Sequence, residues 1–159
     1  LFHSKKAIFA LHRNDIKTAD SKLQEMENIL AQLEKKFSLK RIEEEGAYRA
    51  AIEEYVEAKL LSMFLKKEKI DRIKTLKLNN DAYLGGICDL LGELVRKATN
   101  EAAAGNFEQV EKIKKFANDM MDQLIDFDMT GYLRTKYDQA RGHLRKLEQM
   151  AYEIKLKIS

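Results

Sequence analysis

Two acidic motifs hold the residues whose types and spacing could do chemistry. Segment 47–65 reads AYRAAIEEYVEAKLLSMFL. At about 100° per residue, Ala50, Glu54, Glu57, Leu61 and Phe64 fall on one helical stripe. Two carboxylates thus sit in an otherwise apolar face, where an acid is costly unless something neutralises it. The plain alternative is a partly exposed stripe whose acids form a solvated edge. Segment 82–98 reads AYLGGICDLLGELVRKA. Gly85, Gly86 and Gly92 lie within about 60° of Asp89 around a helix, and Glu93 follows Asp89 by one turn. Three helical glycines cost on the order of 3 kcal/mol relative to alanine. Close approach of another backbone or of a ligand is the usual reason to accept that cost. Tight helix packing around a hydrogen-bonded Asp89 explains the glycines as well, but leaves Glu93 unexplained.

Taken together, Glu54, Glu57, Asp89 and Glu93 suggest a site for a hard cation. Oxygen donors with no His or Cys beside them select Mg²⁺ or Mn²⁺ over zinc. Such a metal activates water and stabilises the charge of a phosphodiester transition state. A di-iron bundle would want ExxH pairs, and none of His3, His12 and His143 follows a Glu at that spacing. His12 reads as packing or capping a helix end rather than ligating a metal. Cys88 reads as a small core residue rather than a nucleophile, and Met120-Met121 as core. Basic residues cluster at Lys66, Lys67, Lys69, Arg72, Lys74 and Lys77, and again at Arg134, Lys136, Arg141, Arg145 and Lys146. Charge runs of this kind are solvated faces or phosphate contacts. Arg49, one turn before the acids and next to Tyr48, is better placed to meet nucleic acid, through charge or stacking.

The elements that must position these residues are helical. Leu1 to Arg13 reads as the end of a helix, broken or capped at Asn14-Asp15. Leu23, Met26, Ile29, Leu30, Leu33 and Phe37 give residues 15–37 an i, i+3, i+4, i+7 pattern. After a connection near Ser38, a long helix is expected from about Ile42 to about Ile73. Asn79-Asn80 turns the chain, and Asp81 opens a helix over about 82–104 that Gly105 ends. Asn106 and Gln109 suggest a capping box for a helix to about Phe127, and Thr130 can cap a last helix to about Lys157.

Composition agrees with this. The chain has 159 residues, enough for one domain with a substantial core. Proline is absent where average usage predicts roughly eight, and there are 7 glycines, which argues against β-sandwiches, barrels and Rossmann-type folds. Lys and Arg number 29 against 26 Asp and Glu, so nucleic-acid binding must come from clustering of charge rather than from its total. A single cysteine fits a reducing cytosol, and no apolar run approaches the roughly 20 residues of a membrane span. The chain begins at Leu1 without a cap, and residues before it are expected to be missing.

AYRAAIEEYVEA at 47–58 and DAYLGGICDLLGELVRKA at 81–98 resemble the translin family, closer to the branch of translin-associated factor X than to translin itself. SKKAIFALHR at 4–13 resembles that family's first helix, and YDQARGHLRKLEQMAYEIKLK at 137–157 its last. The resemblance spans the chain in order and implies a single translin-like domain over residues 1–159. The fold class expected is all-α, a bundle of about six to seven long helices that assembles into a hollow, octamer-like homo-oligomer. RNA or single-stranded DNA would bind inside. In that branch two glutamates and an aspartate form a Mg²⁺-dependent endoribonuclease site for single-stranded RNA. These match Glu54, Glu57 and Asp89, and Glu93 matches a further acidic position that joins them as a metal ligand. Arg49, Tyr48, Arg13 and His12 are the nucleic-acid-binding candidates. The compact chain suggests an archaeal form, and its single cysteine a cytoplasmic one. The alternative is a non-catalytic, translin-like protein that binds RNA or single-stranded DNA.

Overall fold

Helices form here wherever an apolar stripe is closed by a residue able to end it. The computed structural model describes residues 2–37, 41, 46–70 and 80–158. Among them six helices are bounded and no strand occurs: α1 (Phe2–His12), α2 (Ile16–Lys36), α3 (Gly46–Leu65), α4 (Asn80–Ala103), α5 (Phe107–Leu124) and α6 (Gly131–Ile158). The fold is all-α, as the composition requires. None of the described helices is long and apolar enough to cross a membrane.

Three helix ends share one device. After α1, Asn14 takes φ +60°, its N–H donates to the Leu11 carbonyl, and the Asp15 N–H donates to the Ala10 carbonyl. After α4, Gly105 at φ +79° repeats this with Ala102, and Asn106 with Glu101. After α3, Lys67 at φ +58° repeats it with Phe64, and Glu68 with Met63. These paired bonds satisfy the last carbonyls of each helix, and the turn needs a left-handed residue. Asn14 and Gly105 announce such a turn in the sequence and Lys67 does not. The helix expected to run to about Ile73 therefore ends at Leu65. Its expected start at Ile42, the turn at Asn79 and the basic residues Arg72, Lys74 and Lys77 lie outside the described residues. Asp15 caps α2 by accepting from the Thr18 N–H at 3.1 Å. The capping box expected at Asn106 does not form. The Asn106 amide donates instead to Glu101 at 2.8 Å, and α5 stops at Leu124 rather than Phe127.

The chain divides into two compact units, Leu1–Ile87 and Cys88–Ser159. In the first, α1, α2 and α3 pack on one another around the fully buried Leu11, Tyr55, Leu60 and Leu61. From Ile52 to Ser62, only Glu54 and Lys59 of α3 escape full burial, which marks it as the central helix of its unit. In the second, α5 packs on α6, and Leu90, Leu91, Leu94, Ile113, Leu124 and Leu147 are fully buried. Each such leucine contributes roughly 1.5–3 kcal/mol. Cys88, Met120 and Met121 are buried core residues, as their settings suggested.

Candidate metal and nucleic-acid site

Glu54 and Glu57 project from the middle of α3. Glu57 is buried at 8 % exposure, and Glu54 is half-buried and accepts a short hydrogen bond from the Ser4 hydroxyl of α1. The expected stripe is thus neither wholly core nor a solvated edge. Its flank holds a carboxylate that sequence reading passed over: Glu53, 3 % exposed, which pairs with Arg49 Nε at 3.2 Å. The i, i+4 spacing of Arg49 and Glu53 was the signal available for it.

Glu53 also explains two of the glycines. A Cβ added at Gly85 would stand 2.5 Å from Glu53 Oε1. One at Gly86 would stand 2.6 Å from Val56 Cβ and 2.8 Å from the Glu53 carbonyl oxygen. The start of α4 therefore lies against α3 at a distance only glycine allows. Gly92 does not share this role. Its nearest neighbour is His143 Nε2 of α6, 3.4 Å from where a Cβ would be. Burial first, and then the Lys146 charge, push the His143 imidazole below the usual range, with Asp89 acting in the opposite sense.

In the second unit, Asp89 and Glu93 lie one turn apart on α4 and are both half-buried. Asp89 Oδ2 is 2.5 Å from Lys136 Nζ of α6, and Glu93 is 3.7 Å from Arg96. Lys136 belongs to a basic run expected to be a solvated face or a set of phosphate contacts, and the structure sets it on an acid instead. No local pattern announces a pair 47 positions apart. Among the described residues, no group of three His, Cys, Asp or Glu side chains is gathered closely enough to hold a metal ion.

The nucleic-acid candidates are dispersed. The half-buried Tyr48 hydroxyl donates to Glu34 at 3.1 Å, and Arg49 is engaged with Glu53. His12 is half-buried in the last turn of α1. Arg13 is exposed, its guanidinium 4.0 Å from the centroid of the half-exposed Phe9 ring. That cation–π pair offers both a charge and an aromatic edge to a ligand. Of the other basic residues, Lys66 pairs with Asp20 at 2.9 Å and Arg134 with Asp138 at 3.2 Å.

Comparison with known proteins places the chain in a family. An uncharacterized protein of Methanocaldococcus jannaschii is 31% identical over 141 residues, 86% of this chain and 63% of its own length. Translin of Gallus gallus is 28% identical over 89 residues, 55% of this chain and 38% of its own. The chain thus spans less than two thirds of either relative. Among solved structures, AfC3PO in complex with duplex RNA superposes with a TM-score of 0.86 at 24% identity, over 98% of this chain and 83% of that one. Apo-NeC3PO gives 0.79 at 26% identity, over 94% and 81%. The translin family model matches residues 2–158, so the chain belongs to the translin family.

Proposed function

We propose that this chain is a metal-dependent endoribonuclease that binds and cleaves single-stranded RNA inside a closed homo-oligomer, as in the branch of translin-associated factor X. One observation carries the reading. All four acids that the branch would use are present, on helices, and withdrawn from bulk water: Glu57 is buried, and Glu54, Asp89 and Glu93 are half-buried. A carboxylate withdrawn from water is costly to keep charged, and a divalent cation is a partner that several of them can share. The donor set is all oxygen, which fits Mg²⁺ or Mn²⁺. When bound by Glu54, Glu57, Asp89 and Glu93, such an ion supplies an activated water and stabilises phosphodiester charge. The chain's own groups bind the RNA. Arg13 and Arg49 attract phosphate, and Tyr48 and His12 present rings on which an unpaired base can stack.

A non-catalytic, translin-like binding role is the second reading. It is favoured by the ammonium already on Asp89. AfC3PO was solved with duplex RNA, so duplex belongs in the test beside single strands. Labelled single-stranded and duplex RNA should be incubated with the protein in Mg²⁺ or in EDTA, with binding read on the same samples. Mg²⁺-dependent cuts in the single strand are expected. Tight binding with no cleavage in Mg²⁺ or Mn²⁺ would establish the second reading instead.

A further inference from the structure

Lys136 is placed unlike a lysine that waits for phosphate. Its side chain is 12% exposed, less than the 32% of the Asp89 side chain it meets at 2.5 Å. Lys115, by contrast, is 80% exposed while paired with Asp119. One turn earlier on α6, the Tyr132 ring lies 5.2 Å from the Lys136 ammonium. The cation is therefore held between a carboxylate and an aromatic ring, with its stem packed away from water. Glu93, one turn beyond Asp89 on α4, leaves a second carboxylate on the same side of that helix. Two cations on one carboxylate repel each other strongly at ion-pair distances.

We propose that Lys136 is the resident counter-cation of Asp89, and that a divalent ion reaches Asp89 only by displacing the Lys136 ammonium. The inference rests on the metal-dependent reading above. It makes Lys136 a positioning residue that sets the affinity of the site for its ion, in competition with it. Linkage makes the competition reciprocal: whatever draws Lys136 off Asp89, an incoming phosphate included, tightens metal binding.

The test is Mn²⁺ binding at fixed ionic strength, by titration calorimetry and by the electron paramagnetic resonance signal of free Mn²⁺, on the chain without RNA. Lys136→Met should bind Mn²⁺ roughly fivefold or more tightly than the unaltered protein, since a cation that competes directly has been removed. Lys136→Arg, which keeps the charge, should bind as the unaltered protein does. In an Asp89→Asn background the gain from Lys136→Met should vanish. If circular dichroism shows that Lys136→Met does not fold, Lys136→Gln reads the same competition with a polar side chain. Equal Mn²⁺ affinity with and without the lysine charge, lost in Asp89→Asn, would overturn the proposal and leave the metal site standing. Lys136 would then be a clamp between α4 and α6 only. Absence of Mn²⁺ binding in both the unaltered protein and Lys136→Met would overturn the proposal together with the metal reading.

Discussion

A methyl group separates the two kinds of glycine on α4. At Gly86 a Cβ would press on the Val56 side chain and on the Glu53 carbonyl, a backbone atom that cannot turn aside. Gly86→Ala should therefore cost about 1–3 kcal/mol, as overpacking does, and lower the melting temperature. At Gly92 the nearest atom to the same methyl is His143 Nε2, at 3.4 Å, on a side chain rather than a backbone, and alanine gains up to about 1 kcal/mol of helix propensity. Gly92→Ala should leave the melting temperature unchanged or raise it. The reverse ranking would mean that α3 and α4 do not meet at Gly86. The acids call for a different measurement. If the proposed metal-dependent reading holds, Glu54→Ala, Glu57→Ala and Asp89→Ala should each abolish Mg²⁺-dependent cleavage and leave RNA binding intact, because residues that held one ion would act as a unit on the transition state. Double variants should then be little worse than single ones. Glu57 is buried, so Glu57→Gln is the control for a packing defect. A triple alanine variant that still cut RNA at the unaltered rate would leave these acids with a structural role alone.

Helix ends decide how much of each element could be read in advance. Lys67 bears a left-handed conformation that costs an L-residue roughly 1–2 kcal/mol, and glycine escapes most of that. Lys67→Gly should raise stability against chemical denaturant by a few tenths to about 1 kcal/mol. An unchanged or lower midpoint would place the end of α3 elsewhere. Asn14 and Gly105 were legible because their residue types favour such turns, whereas at Lys67 packing chose the end and the sequence carried no sign of it. The same division runs through the candidate site. Glu54, Glu57, Asp89 and the glycines stand out by helical period. The Ser4, Glu53 and Lys136 contacts depend on which faces meet, and period alone does not give that. At the end of α4, the buried Lys97 holds Glu101 at 2.9 Å. That hydrogen bond first, then the one from Asn106, lowers the Glu101 pKa below the ordinary glutamate range. A depressed carboxyl contributes stability at neutral pH and loses it as pH falls through that range. Melting temperature should therefore drop more between pH 6 and 3 in the unaltered protein than in Glu101→Gln. Parallel curves would show that the pair contributes nothing.

At the scale of the whole molecule, what one chain leaves exposed bears on how many chains act together. Tyr152, Leu156 and Ile158, 58%, 60% and 65% exposed, crowd the last turns of α6. Tyr152 and Leu156 are one turn apart and share a face. An apolar face of this kind is where a helical protein buries area against a second copy of itself. Light scattering at micromolar concentration should show a homo-oligomer, and Tyr152→Glu with Leu156→Glu should shift it toward monomer without loss of helicity. The same double variant tests where RNA binds. Phosphate contacts release counterions, so affinity falls steeply with salt, more steeply the more phosphates are held at once. If the RNA surface is completed by several chains facing a shared interior, the monomeric variant should bind single-stranded RNA more weakly and with a shallower salt slope. Both changes should appear although neither substitution alters Arg13, Arg49 or the acidic residues. Preference for single strands over blunt duplex should weaken with them, because bases held against Tyr48 or His12 gain from neighbouring chains that keep the strand in place. A monomer that binds with unaltered affinity and salt slope would mean that one chain carries the whole RNA surface, and that assembly serves something other than binding.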